Sequence, residues 1–119
     1  MPEPVIRTTP TRFDVTAYPG EDIDGITFAI AVEYAGHGKW AVRWLSRCLG
    51  ADDEWDWEPQ PSSREDDWLA THRFTLGQAL AHAESHAPRI VVNGLTATQA
   101  WEKYGSKHKR DAELDEVPR

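Results

Sequence analysis

Hydrophobic positions recur at two different periods along this chain, and the change from one to the other divides it. Up to Phe74 the period is two. Residues 12–18 read RFDVTAY, with Phe13, Val15 and Ala17 alternating with polar neighbours, which is the pattern of a half-buried strand. Residues 26–34 read ITFAIAVEY and put Ile26, Phe28, Ile30 and Val32 on one side, predicting a second strand rich in β-branched and aromatic side chains. The run Ala35-Gly36-His37-Gly38 then reverses the chain, and residues 39–49 set Trp40, Val42 and Trp44 against Ala41, Arg43 and Arg47, completing a hairpin. Residues 54–58 alternate acids with Trp55 and Trp57, and residues 67–74 place Trp68, Ala70, His72 and Phe74 on one parity. Connections this short predict an antiparallel meander of about five strands.

Beyond Phe74 the spacing becomes helical. Thr75 is followed three residues later by Gln78, the capping-box pattern, and Leu76, Ala79, Leu80, Ala83 and Ala87 recur at helical spacing until Pro88. Residues 90–92 form a brief apolar strand, Asn93-Gly94 turns, and Thr96 with Gln99 repeats the capping box ahead of Ala97, Ala100, Trp101 and Tyr104. Gly105 stands where a helix ends. The expected fold is α+β, a two-layer antiparallel β-meander of about five strands with two C-terminal helices. Residues 1–11 hold three prolines and read as an extended arm, residues 12–105 as a single domain, and residues 106–119 as a charged flexible tail.

Strand parity assigns the tryptophans. Packing the helix that begins after Thr75 onto one sheet face makes Ile26, Phe28, Ile30, Val32, Trp40, Val42, Trp44, Trp57 and Phe74 a single core under Leu76, Leu80 and Ala83, with Trp55, nearest a turn, as the exception. The opposite face then displays Glu33, Arg43, Arg47, Glu54, Asp56, Glu58 and Arg73, which reads either as an ordinary solvated sheet face or as a polar docking face bordered by the acidic loop.

Charge changes the picture at one place. Residues 52–67 carry eight carboxylates and one arginine, Arg64, so that −8 + 1 = −7 equals the net charge of the whole 119-residue chain. Nucleic-acid affinity comes largely from neutralising phosphates with Lys and Arg, so a pI near 5.1 disfavours direct DNA or RNA binding and points to a basic protein partner instead. The residues expected to meet that partner are Asp52, Asp53, Glu54, Trp55, Asp56, Glu58, Glu65, Asp66 and Asp67. A single cysteine, Cys48, rules out an intramolecular disulfide, and the chain has neither a leader-like segment nor an apolar run of membrane length. A cytoplasmic location is expected.

Catalytic motifs are missing. His82 and His86 have the i, i+4 spacing of a zinc pair, but the position of the catalytic Glu of an H-E-x-x-H motif holds Ala83, and both histidines are expected on the exposed side of their helix. Asp22, Asp24 and Glu33 fit three positions of a calcium loop, yet the obligatory glycine is Thr27. Cys48 reads as a small hydrophobe and His72 as a satisfied core histidine. No phosphate loop, nucleophile elbow or dinucleotide fingerprint occurs, so no catalytic residue, metal ligand or cofactor is assigned.

The elements W-A-V-R, E-W-D-W-E-P, D-D-W-L-A-T-H-R-F and V-V-N-G-L-T, in that order between Trp40 and Gly94, resemble segments of small uncharacterised proteins encoded by actinobacterial phages and prophages. The resemblance covers about half of the chain, brings no functional residue with it, and implies an accessory role in an infected or lysogenic cell. The expected function is therefore a non-enzymatic protein-interaction module that binds a basic partner through its acidic segment. Two alternatives stand beside it: a DNA mimic that blocks a nucleic-acid-binding or defence protein, and a small metal-dependent enzyme using clustered carboxylates.

Overall fold

The computed structural model describes residues 3–20 and 23–105; the predicted tail over 106–119 lies outside them. Five strands, β1 (Arg12–Val15), β2 (Ile30–Gly36), β3 (Lys39–Trp44), β4 (Arg47–Leu49) and β5 (Trp55–Trp57), form one antiparallel sheet in chain order. Among the described residues three α-helices follow, α1 (Asp66–His72), α2 (Leu76–His86) and α3 (Ala97–Ala100), the last continued by a π-helical turn over Trp101–Gly105. The α+β meander with two C-terminal helices is thus present. No described helix is long and apolar enough to cross a membrane.

Both capping boxes are formed. Thr75 Oγ1 accepts from the Gln78 amide while the Gln78 side chain accepts from the Thr75 amide, and Thr96 and Gln99 do the same at α3. Between the two helices lies a hairpin of β6 (Val91–Val92) and β7 (Leu95–Thr96), turned by Asn93 and Gly94 with both φ angles positive, as a tight two-residue hairpin turn requires.

The make-up of the strands departs from the sequence pattern at three places. Residues 26–28 belong to a 3-10 turn, Ile23–Phe28, so Ile26 is 67% exposed and is not part of the core. The predicted long strand over 39–49 is broken by Leu45 and Ser46, with Leu45 at φ 55°, and the break re-sets the parity: Trp44 pairs with Arg47 and Arg43 with Cys48. Arg47 therefore lies on the face of Trp44, not on that of Arg43. The fifth predicted strand, 67–74, is helix α1 up to His72, and only Phe74 joins the sheet, exchanging backbone hydrogen bonds with Trp40 at 2.7 and 2.9 Å.

Helix wins over 66–72 for local reasons. Asp66 and Asp67 occupy the first turn, where the exposed amides of a helix favour negative charge. Trp68 and His72, four residues apart, stack on one helix face with ring centroids 4.2 Å apart and planes 4° from parallel.

The core sits between the sheet and α2. Ile30, Val32, Val42 and Leu49 are fully buried beneath Ala79 and Ala83, each contributing roughly 1.5–3 kcal/mol by leaving water. Phe13, Trp40, Trp44, Trp55, Leu76 and Leu80 close its rim. On the opposite face α1 packs over Cys48 and the acidic end of β5, so that surface is covered where the sequence pattern suggests open solvent.

Candidate interaction surface

The acidic segment begins in the turn between β4 and β5. Gly50 donates to the Glu54 carbonyl at 2.9 Å, Asp53 to the Gly50 carbonyl at 3.0 Å, and Glu54 to Asp52 Oδ1 at 3.0 Å. Asp53 takes a positive φ of 65°, a conformation that its short polar side chain tolerates. The turn points the Asp53 carboxylate at α2, with Oδ1 lying 3.0 Å from His86 Nε2 and 3.7 Å from His82 Nδ1. The hydrogen bond from His86 holds the Asp53 carboxyl below its ordinary range; desolvation opposes this, and the charges of His86, His82 and Arg89 add to the lowering.

Two residues into β5, Asp56 meets α1. His72 Nε2 lies 2.8 Å from Asp56 Oδ2, and its Nδ1 lies 2.8 Å from the Trp68 carbonyl, so both ring nitrogens of a buried histidine have oxygen partners. Gly50 leaves room for these groups, since a Cβ on it would fall 3.0 Å from His72 Nε2 and 2.8 Å from Asp52 Oδ1.

Glu58 is drawn furthest inward. Its carboxylate accepts from Arg43 Nε and Arg64 Nη2 at 2.8 Å each and lies 3.7 Å from Arg73 Nη2, while Arg43 is 3.8 Å from Glu33. Burial pushes the Glu58 carboxyl up, but the Arg43 hydrogen bond and the charges of Arg43, Arg64 and Arg73 outweigh it, and the net shift is downward. Arg73 also donates to the His72 carbonyl at 2.8 Å and stands 5.2 Å over the Trp68 ring. Beneath this cluster the Cys48 thiol is fully buried and pushed up to about 11 by desolvation, which leaves it protonated and without nucleophilic character.

The nine residues expected to bind a partner are thereby divided. Asp53, Asp56 and Glu58 face groups of their own chain. Asp52, Glu54, Glu65, Asp66 and Asp67 are exposed, and among the described residues no Lys, Arg or His side chain pairs with them. Because Ala51 donates to the Thr71 carbonyl at 2.7 Å, the turn carrying Asp52 and Glu54 sits at the C-terminal end of α1, whereas Glu65, Asp66 and Asp67 sit at its N-terminal end. Asp66 also rims an open groove of about 480 Å³ opposite His37 and Lys39 of the β2–β3 hairpin.

The tryptophans exchange their expected places. Trp55 is half-buried, edge-on to both Trp44 and His86 at centroid distances of 6.1 and 5.6 Å. Trp57 is 69% exposed, with the Arg47 guanidinium 5.2 Å from its ring centroid. The parity is right, since Trp55 and Trp57 share a face, but α2 meets that face at Trp55 through its last residue, His86, and leaves Trp57 in solvent. His86, expected to be exposed, is buried. Its spacing of three from Ala83 and seven from Ala79 places it on the apolar stripe, a signal present in the sequence.

Among the described residues no group of three or more His, Cys, Asp or Glu side chains is arranged to hold a metal ion. What the arrangement offers is an acidic, solvent-facing rim with one exposed tryptophan beside it, on a scaffold held by inward ion pairs. Comparison of the chain with protein-family models, with curated proteins and with solved structures finds no match in any of them.

Proposed function

We propose that the chain is a non-enzymatic protein-interaction module that binds a basic partner protein through the outward carboxylates Asp52, Glu54, Glu65, Asp66 and Asp67 together with Trp57. An accessory role for a phage or prophage inside a bacterial cytoplasm fits this reading. The observation that carries it is the division of the acidic segment. Asp53, Asp56 and Glu58 find His or Arg partners within the chain, whereas these five have no such partner among the described residues and repel one another at a cost to the free protein. A partner's Lys and Arg side chains would relieve that repulsion and steer association. Mimicry of DNA is less well supported, because Glu58 is drawn inward and the charges of Asp53 and Asp56 face His partners of their own chain, which interrupts a phosphate-like array.

A labelled lysine-rich peptide tests the proposal against two variants of equal charge. Neutralising D52N/E54Q/D66N and, elsewhere on the surface, E3Q/D14N/E84Q each change the net charge from −7 to −7 + 3 = −4. The first variant should lose peptide affinity by about tenfold and show a weaker salt dependence, and the second should keep both close to wild type. Equal losses in the two would reduce the effect to net charge and overturn the proposal.

A further inference from the structure

Strand β5 is the last in its sheet, and its backbone geometry says which groups face outward. Gly50 donates to the Glu54 carbonyl in the same register that pairs Cys48 with Asp56 and Leu49 with Trp55. Bonded and non-bonded pairs alternate along an antiparallel ladder. Asp56 is therefore the residue bonded to β4, while Trp55 and Trp57 direct their N–H and C=O groups away from it. Among the described residues none of these outward groups has a hydrogen-bond partner.

The opposite edge of the sheet is built differently. Tyr34 donates to the Thr11 carbonyl at 2.9 Å, so by the same alternation Arg12 and Asp14 are the outward residues of β1, and their side chains pair along that edge at 3.1 Å. Charged residues on an edge discourage further strand pairing. The two outward residues of β5 are both tryptophans, and no Lys or Pro interrupts the strand.

We propose that an extended basic segment of the partner protein adds to the outer edge of β5 as a sixth strand. Trp55 and Trp57 supply the main-chain hydrogen bonds. Glu54, on one face of the strand, pairs with a Lys or Arg of the incoming segment, and the exposed Trp57 ring on the other face packs against its apolar side chains. A second copy of this chain fits poorly, because two-fold self-pairing about Asp56 sets Asp56 opposite Asp56 and Glu54 opposite Glu58. This inference rests on the acidic-surface reading and adds to it the geometry of the contact.

The probe is a synthetic peptide of about ten residues alternating lysine and valine, long enough to span β5 and its flanks. Two further versions carry backbone N-methyl groups on the lysines only or on the valines only, each blocking one edge of the peptide. The unmodified peptide should bind, one methylated version should lose about tenfold or more in affinity, and the other should retain it. Amide hydrogen exchange at Trp55 and Trp57 should slow by about tenfold or more in the complex. If both methylated versions bind like the parent and the two amides stay unprotected, strand addition is wrong while acidic docking survives. Failure of the unmodified peptide to bind also overturns strand addition. Equal binding by wild type and D52N/E54Q/D66N would instead remove the acidic-surface reading on which it rests.

Discussion

Asp53 and His86, thirty-three residues apart in sequence, meet at 3.0 Å and tie the turn before β5 to the last residue of α2. The pair closes the acidic segment onto the core, since the His86 ring is buried and packs edge-on against Trp55. An acid in a run that looks solvent-directed is here a fastening of the tertiary structure.

That fastening depends on pH. The Asp53 carboxyl is held below its ordinary value of 3.8, first by the hydrogen bond from His86. A depressed folded-state value means that the contribution to stability is complete above about pH 4 and is lost as the pH falls through the folded value. Asp53→Asn keeps a residue that accepts positive φ and removes the charge. Melting temperatures of wild type and variant should differ by a constant amount above about pH 4 and converge towards pH 2. A difference independent of pH across that range would show that the His86 contact does not act through the carboxylate's charge.

Trp40 and Trp57 should respond in opposite ways to truncation. Trp40 packs against Phe13 and Tyr34 with ring centroids 5.8 and 5.4 Å away, and its backbone carries the bridge to Phe74. Trp40→Ala should cost about 3 kcal/mol, at the lower end for a large aromatic because the ring is only partly buried. Trp57→Ala should change stability by less than about 1 kcal/mol, since it removes an exposed ring and one stacked arginine. Urea denaturation of both variants measures the contrast, and comparable losses would mean that Trp57 is a packing residue after all.

These residues also show how far the sequence could be read. Alternation in β2 and β3 and the capping boxes at Thr75 and Thr96 place most of the sheet and both C-terminal helices, because each of these signals is local. Helix α1 escapes for a definite reason: a separation of four, as between Trp68 and His72, is even and also one helical turn, so strand parity and helix periodicity agree on those two positions. Ala70 separates them, being exposed in the helix where strand parity puts it in the core. The wrong side for Arg47 follows from the turn at Leu45 and Ser46, which lacks glycine and proline and so carries no turn signal. For the candidate surface the sequence supplies the acids but not their partners. Arg43, Arg64 and Arg73 reach Glu58 from three separate segments, and only the folded chain brings them together.

Thermal unfolding of two triple variants, measured side by side at neutral pH, tests the division of the acidic segment most directly. One variant neutralises the inward acids, D53N/D56N/E58Q, and the other the outward acids, D52N/E54Q/D66N. Loss of Glu58 alone leaves three arginines crowded around an uncharged amide, which should cost about 2–3 kcal/mol, less than for a fully buried pair because 18% of the side chain is exposed. The inward variant should therefore melt several degrees below wild type. The outward variant should melt close to the wild-type temperature, because relief of like-charge repulsion offsets the lost charge of Asp66 in the first turn of α1, and an amide oxygen at position 52 can still accept from Glu54. A drop in the outward variant as large as that in the inward one would contradict the account, making all of these carboxylates structural and leaving none reserved for a partner.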